Sequence, residues 1–409
     1  MKLLLVNKLY HPDAVGGAEA IARSLAEAHR DNGLEVTVAT TGETDSLRKD
    51  HVGDIPVLRL PLRNFYWHSD TRRRSSLVRA AWHVRDMFNT QMERALTEVI
   101  RRVNPHVIAF HNLSGFSASA WAAARATRKP ALQVLHDYYH LCPRSQLFSQ
   151  GQRCERRCTS CSLFRIGRRE QSNQLQGVVA VSQSVLDTHL SHGLFEGVQL
   201  RSVIHNGVTL RPEPPPAAVP LPPAINQNAA QAHVFGFIGT LGDYKGIEAL
   251  LEAFREAHAR HPALRLRVAG SGESRYVQAL RQRYAHGSVE FLGRTAASEF
   301  FRTIDALIVP SLWDDPLPTV ILEAQSAGVP VVGARRGGIP ELITPHVDGL
   351  LYDPSRPGDL TRCLLRLATE PGLRRALATG CQAAARGNDQ RAMARAHERV
   401  YEQLLEARP

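Results

Sequence analysis

Short, continuously apolar runs alternate along this chain with longer stretches in which apolar residues recur every three or four positions. That alternation predicts buried strands separated by amphipathic helices. In the first half the runs are Lys2–Val6, Leu34–Ala39, Pro56–Leu60, Val107–Phe110, Leu132–Leu135 and Gly177–Ser182. Between the first two, Ile21, Leu25 and Ala28 mark one helical face. Ser76–Val103 reads as one long helix, with Leu77, Val84, Phe88, Met92, Leu96 and Ile100 near a single face. Val203–Val208 runs as a strand into an Asn206-Gly207 turn. The composition then changes: seven prolines fall between Arg211 and Pro223, which neither helix nor sheet accommodates.

The rhythm restarts beyond the prolines. Strands are predicted at Val234–Gly239, Leu264–Ala269, Val289–Leu292, Ala306–Val309, Val331–Gly333 and Leu350–Tyr352. Helices are predicted at Ile247–Ala257, Tyr276–Tyr284, Ala297–Ile304, Pro318–Ala327 and Ile339–Leu342, then Leu360–Gly372 and Leu373–Leu405. Strands alternating with helices imply parallel sheets covered on both faces. The predicted organisation is a first domain over 1–208 with a cysteine-rich insertion at 142–161, a proline-rich linker at 209–230, a second domain over 231–380, and a terminal helix over 381–409 that packs back on the first domain. A chain of 409 residues is long enough for two such cores.

One stretch, Val309–Glu323, concentrates chemistry. A strand meets Pro310 and Ser311, opens into the loop Trp313-Asp314-Asp315-Pro316, and closes into a helix headed by Leu317, Pro318 and Thr319. The backbone N–H groups of those three positions are expected to face the loop as an anion site. Asp315 and Glu323 stand eight positions apart beside it. Phosphate-binding amides next to two carboxylates suit a ligand with both phosphates and hydroxyls. A second loop, Gly16-Gly17-Ala18-Glu19, follows the first strand and opens a helix, the arrangement that lets backbone approach a phosphate. It has neither the G-x-G-x-x-G nor the Walker pattern, so a tight strand–helix turn explains it equally well.

Charge and cysteine usage add two features. The formal net charge is +11, of which +8 lies in residues 1–200. Arg72-Arg73-Arg74 and the arginines of Ser76–Val103 read either as a solvated helix face or as a contact for anionic lipid headgroups or a charged lipid-linked substrate. Four of the six cysteines, Cys142, Cys154, Cys158 and Cys161, fall within about twenty residues. Such a cluster fits a structural zinc or iron–sulfur site, with free or redox-labile thiols as the other reading. Four thiolate ligands would leave no open position, so a metal there would not be catalytic. Leu3–Val6 is too short for a signal-peptide core, and a cytoplasmic protein, peripheral at the inner face of a membrane, is the expected location.

These motifs, in this order, give the chain its likeness. Gly16-Gly17-Ala18-Glu19, His136-Asp137, His205-Asn206-Gly207-Val208, Gly239-Thr240-Leu241 with Lys245-Gly246, Gly270-Ser271-Gly272-Glu273, Phe291-Leu292-Gly293, Trp313–Gly328, Gly337–Glu341 and Asp348–Leu351 resemble the retaining glycosyltransferases of family 4. The resemblance implies an α/β fold of the GT-B type, two Rossmann-like domains with a cleft between them, the first binding the acceptor and the second the nucleotide-sugar donor. It implies that Lys245 binds the donor diphosphate, Glu323 the ribose and Asp315 the hydroxyls of the transferred sugar. The amides of Leu317, Pro318 and Thr319 would support the pyrophosphate, Gly16 and Gly17 would approach the phosphates, and His136 would face the reaction centre. Catalysis would then rest on His136, Asp315 and Lys245. The chain departs from the family at Asp315, where glutamate is usual, and at Thr240, where arginine is usual.

The reaction implied is transfer of a sugar from a nucleoside-diphosphate donor to a hydroxyl of a glycan, lipid-linked or other acceptor, in cell-surface polysaccharide or glycoconjugate synthesis. The resemblance further implies retention of configuration and a site that needs no catalytic metal. Two alternatives are carried forward: a phosphorylase on the same fold, and a basic, cysteine-clustered nucleic-acid-binding protein. The second is disfavoured, because the cluster lacks interleaved aromatics and a zinc-finger spacing.

Overall fold

The structure, a computed structural model, describes residues 1–13, 16–67, 70, 72, 74–208 and 233–407. The predicted linker, 209–230, lies outside the described residues. The chain forms two compact units, one of Met1–Leu147, Cys154–Gly207 and Gln390–Pro409, the other of Phe148–Arg153 and Val208–Asp389. Each is an α/β unit built on its own sheet, as the strand–helix alternation predicts.

The first unit carries an eight-stranded sheet of β1 (Lys2–Asn7), β2 (Glu35–Gly42), β3 (Arg48–Val52), β4 (Ile55–Pro61), β5 (Val107–Phe110), β6 (Ala131–Leu135), β9 (Gly177–Ala180) and β10 (Leu200–Val203). Phe148–Ser149 and Gln152–Arg153, β7 and β8, form a separate hairpin that groups with the second unit. The sheet order is β10-β9-β6-β5-β1-β2-β4-β3, parallel except for the β3–β4 edge pair. The pattern of apolar runs does not disclose β3, R-K-D-H-V, because an edge strand facing water has no need of apolar residues. The central β1 is the opposite case. Leu3, Leu4, Leu5 and Val6 are all fully buried, as two-sided cover demands. Each is worth roughly 2 kcal/mol of transfer free energy.

The helix Gly17–Asp31 lays Ile21, Leu25 and Ala28 against Met393 and Ala394 of the terminal helix Gln390–Glu406. Val400, Tyr401 and Leu404 of that helix join the core over β1 and β6. Polar contacts fix the register, with Gln390 Nε2 donating to Ser24 O at 2.8 Å and His29 Nδ1 lying 2.8 Å from Glu398 Oε1.

The single helix predicted over Ser76–Val103 is two helices, Ser76–Arg85 and Thr90–Val103. Asp86 breaks it. Its carboxylate is fully buried, accepting from Gly115 N at 2.8 Å and from the Tyr139 hydroxyl at 2.5 Å. Asn89 then caps the second helix, its Oδ1 accepting from Met92 N at 3.2 Å. The expected common apolar face is divided as well. Met92, Leu96 and Ile100 are buried, whereas Leu77, Val84 and Phe88 are exposed.

The second unit holds a parallel sheet in the order β13-β12-β11-β14-β15-β16. These strands are β11 (Val234–Ile238), β12 (Arg265–Ala269), β13 (Val289–Gly293), β14 (Ala306–Val309), β15 (Val331–Ala334) and β16 (Gly349–Tyr352). The strand order reverses at β11 and β14, the crevice position where open α/β sheets bind ligands. Among the described residues no helix is long and apolar enough to cross a membrane.

The first unit also buries many histidines. Burial holds His83, His136 and His189 down at about 4, and His111, His140 and His397 well below the ordinary imidazole value. A folded value below the unfolded one means that the unfolded chain binds more protons between about pH 6.5 and 4. Stability therefore falls as pH drops through that window. Asp86 and Asp137, pushed up by burial, act in the opposite sense but are fewer. Thermal unfolding followed from pH 7.5 to 4.5 is expected to show a progressive fall in midpoint that begins near pH 6.5, with net proton uptake on unfolding at pH 5. A midpoint that stays flat until pH 4 would contradict the burial argument.

Candidate functional site

In the second unit the loop after β14 and the turn after β11 dock on one another. Leu312 N and Trp313 N donate to Tyr244 O at 2.9 and 3.3 Å, and the Tyr244 and Trp313 rings meet edge to face at 5.3 Å. The one-turn helix Asp243–Lys245 ends at Gly246, with φ +73°. A Cβ at Gly246 would lie 1.9 Å from Pro310 O, so only glycine permits this contact. The docking delivers Lys245 to Asp315, and Nζ donates to Oδ2 at 2.7 Å. Ser311 Oγ donates to the same oxygen at 3.0 Å. The ammonium also lies 5.2 Å from the Trp313 ring centre and 5.8 Å from that of Tyr244, within cation–π range.

Asp315 is buried, and its main chain is fixed from the far side, where Gly338 N donates to Asp315 O at 2.8 Å. Gly337, with φ +54°, makes room: a Cβ there would stand 2.2 Å from Asp315 O. Asp314, next to it, pairs with Arg153 of the β8 strand at 3.6 Å. Sequence reasoning placed Arg153 in a cysteine-rich insertion and attached no role to it. Its position on a two-residue strand gave no local signal.

The helix after the loop begins at Thr319, one residue later than expected, with Pro318 in the capping position and no side-chain cap. This corrects the expected amide set. Pro318 has no N–H, so the donors heading the helix are the amides of Thr319 and Val320, with Leu317 preceding the proline. Glu323 lies one turn further on, half-buried. Burial pushes its carboxyl up, opposed by a hydrogen bond from the Thr319 hydroxyl. Thr240 is exposed just after β11. Lys245, Asp315, Thr319 and Glu323 thus belong to one unit, and the loop and helix following β14 carry three of them.

In the first unit, polar groups gather where β1, β5 and β6 end. His136 follows β6, and its Nε2 lies 2.8 Å from His111 Nδ1, the rings stacked at 5.1 Å. Burial keeps both imidazoles neutral at pH 7, so one nitrogen of the pair donates and the other accepts. Asn112 Nδ2 donates to Asp137 Oδ2 at 3.1 Å, and Asn7 Oδ1 accepts from Asn112 N at 3.0 Å. His111 and Asn112 were not anticipated. A signal was present: His111-Asn112 and His136-Asp137 are matching His–Asx pairs at the ends of adjacent parallel strands. Lys8 was likewise unmarked, and its Nζ reaches the buried Glu19 carboxylate at 3.3 Å. Gly16 caps the Gly17–Asp31 helix in extended backbone, and a Cβ there would stand 2.7 Å from Glu19 Oε2.

The cysteines do not build the expected metal site. Cys142 and Cys161 are buried, Cys154 is half-buried and Cys158 is exposed. Cys161 is hydrogen-bonded to both Cys142 and Cys158, and its donation pulls the Cys142 thiol down towards the thiolate. Among the described residues, no three His, Cys, Asp or Glu side chains are arranged to hold a metal ion, zinc and iron–sulfur alike. Cys363 and Cys381 are buried apart from the cluster.

Residues 15–211 match the family described as Glycosyltransferase Family 4, and residues 232–370 the family described as Glycosyl transferases group 1. An uncharacterized 42.6 kDa protein in the cps region of Klebsiella pneumoniae is 27% identical over 85% of this chain and 89% of its own length. A D-inositol 3-phosphate glycosyltransferase of Corynebacterium jeikeium is 33% identical over 42% of this chain and 43% of its own. Among solved structures, sucrose-phosphate synthase from Thermosynechococcus elongatus superposes with a TM-score of 0.75 at 19% identity, covering 100% of both chains. Anabaena HepE in complex with UDP superposes with a TM-score of 0.72 at 21% identity, covering 98% of this chain and 100% of its own. At these identities the superpositions speak for the fold.

Two glycine substitutions test the geometry around Asp315. Gly246→Ala and Gly337→Ala each force a Cβ against a carbonyl oxygen at a positive φ, and each is expected to cost about 2 kcal/mol or more. Gly287→Ala, where a Cβ would meet nothing within 4 Å, serves as the control and is expected to be near neutral. Urea unfolding of the three variants checks the ranking.

Proposed function

This chain belongs to the family-4 glycosyltransferases, and on that premise we propose that it moves a sugar from a nucleoside-diphosphate donor to a hydroxyl of a glycan or lipid-linked acceptor, with retention of anomeric configuration. The observation that carries this reading is the Lys245–Asp315 pair set beside the Thr319 and Val320 amides. A cation and a helix N-terminus offer the diphosphate its counter-charge, while a carboxylate offers the sugar hydroxyls an acceptor.

The pair shapes the chemistry. Lys245 has three N–H donors, so one can remain on Asp315 while the others take phosphate oxygens. Asp315 uses Oδ2 for Lys245 and Ser311, which leaves Oδ1 for the sugar. Being one methylene shorter than glutamate, it is drawn towards Lys245 and sets the sugar differently from the usual family acid. Glu323 holds the ribose diol. Thr240 contributes a hydroxyl but no charge, so the diphosphate relies more on Lys245. In the first unit His136, neutral and oriented by His111, serves as a hydrogen-bonding group. Gly16 and Gly17 head the Gly17–Asp31 helix, whose N-terminal amides are the anion-binding feature of the first unit.

In the step itself the bond between the anomeric carbon and the phosphate oxygen breaks, and its electrons leave with the diphosphate. The acceptor oxygen bonds to the same face of the anomeric carbon, and its proton passes to the leaving phosphate oxygen. Lys245 and the helix amides stabilise the charge that develops on that group. UDP-glucose is the first donor to try, since HepE has been solved in complex with it. The cps-region relative favours cell-surface polysaccharide as the product class.

Thermal-shift screening against UDP-, GDP- and ADP-sugars tests the reading. A donor present at about 100 times its Kd is expected to stabilise the protein by about 2.7 kcal/mol. Lys245→Ala is expected to lower kcat/KM by about 100-fold or more. Asp315→Asn, which keeps the shape but removes the charge, should lower kcat and shift donor preference. Release of nucleoside diphosphate in the reaction supports a transferase, and release of sugar phosphate would indicate a phosphorylase. Failure of every nucleotide sugar to stabilise the protein would overturn the donor site.

A further inference from the structure

The first unit carries an apolar surface that its own fold leaves uncovered. Of the nine large apolar side chains exposed among the described residues, seven fall in 65–88 and 163–166. Leu77 is 80% exposed and Val84 57%, seven positions apart on one face of the Ser76–Arg85 helix. The opposite face of that helix is anchored. Trp82 is buried, its Nε1 donates to Tyr66 O at 3.0 Å, and its ring lies 6.0 Å from Tyr66. The outward residues are therefore not a fraying end. The helix is firmly seated and still turns leucine and valine to water.

The second stretch adjoins the first. His83 of the same helix meets Phe164 at 5.6 Å between ring centres. Phe164 lies in the short helix Thr159–Phe164, beside Leu163, 53% exposed, and Ile166, 61% exposed. That segment is pinned from beneath by Arg165, whose Nε donates to Tyr139 O at 2.7 Å. Phe65, at 62% exposure, extends the surface past Tyr66.

The charge around these residues is predominantly positive: residues 153–170 hold six arginines against Glu155 and Glu170. Residues 63–85 contain six arginines and a single acid, Asp70, which is already paired with Arg72 and Arg74. Arg79 stands exposed on the helix between Leu77 and Val84, and Arg156 is exposed ahead of Leu163. Apolar side chains that project from a seated helix, among arginines that outnumber the carboxylates, match a bilayer with anionic headgroups.

We propose that this surface, centred on Leu77, Val84, Leu163 and Ile166, docks the first unit on an anionic phospholipid membrane. The apolar side chains enter the headgroup–acyl boundary and the arginines neutralise lipid phosphates. The proposal names a partner for the enzyme but does not rest on the donor assignment, because none of these residues belongs to the Lys245–Asp315 unit.

The test is flotation of the full chain with vesicles of phosphatidylcholine alone and of phosphatidylcholine with 30% phosphatidylglycerol. Binding is expected only to the anionic vesicles, and is expected to weaken as salt rises. The double variant Leu77→Glu/Ile166→Glu should lose about tenfold or more in the bound fraction. Its unchanged thermal midpoint and nucleotide binding would show that it folds. Equal binding to both vesicle types, or to neither, overturns the proposal, and so does a folded double variant that binds as the parent does. A parent that sediments as a dimer, fails to float, and becomes monomeric in the variant assigns the surface to a second copy of the chain and also overturns it. Lost vesicle binding with intact donor stabilisation leaves the transferase assignment standing, so the two can fail separately.

Discussion

A central strand of a parallel sheet, buried on both faces, leaves no place for charge, and the polar residues gathered at the ends of β1, β5, β6, β11 and β14 follow from that constraint. β1 is leucine and valine throughout its centre, and β14 is Ala-Leu-Ile-Val, all buried. Polar side chains are displaced to where the strands stop. In the first unit Asn7, Lys8, His111, Asn112, His136 and Asp137 stand just at or beyond the ends of β1, β5 and β6. In the second, Thr240, Lys245, Ser311 and Asp315 stand just beyond β11 and β14. The candidate site is thus the place where the packing requirement ends.

At that place the Lys245–Asp315 pair is held more tightly than an exposed ion pair. A surface pair is worth about 0–1 kcal/mol, but Asp315 is buried, so removing its partner would strand a carboxylate away from water. The close backbone contacts at Gly246 and Gly337 hold the two loops in register, which fixes the distance between ammonium and carboxylate. The pair also gives the aspartate a physical consequence. The shorter acid is tied to the lysine, and the tether fixes where its carboxylate stands.

The first unit shows how buried charge shapes backbone. Arg165 and Arg168 are almost wholly buried and stack on the Tyr139 ring at 4.6 and 5.0 Å. Asp86 supplies the buried carboxylate beside them, and Arg168 Nη2 also donates to Asp86 O at 3.2 Å. Placing Asp86 there ends one helix and begins another. The first of the two is left with its arginines and its outward leucine on the surface.

Much of the strand and helix order, the two α/β units and the placing of Asp315 and Glu323 about the start of one helix were legible in the sequence, because each rests on local periodicity or on short-range spacing, although the helix expected over Leu373–Leu405 is two, Pro371–Gly387 and Gln390–Glu406. Val107–Phe110 and Ala306–Val309 coincide with their apolar runs, since a strand buried on both faces has no other way to be written. The edge strand β3, the break at Asp86, the proline that removes an amide from the Thr319 helix, and the arrangement of the four cysteines were not foreseen. Three of these depend on partners distant in sequence: β3 on its pairing with β4, Asp86 on Tyr139 and Arg168, and the thiols on how three segments meet. The proline depends on where the helix starts, which a pattern of apolar positions locates only to within a residue or two. The sequence by itself determined which residues could carry the chemistry, because composition and spacing limit what each strand end presents. Only the tertiary structure decided that Asp315 holds Lys245, that His136 leans on His111, and that Leu77 faces water, because each is a contact or an exposure set by long-range packing.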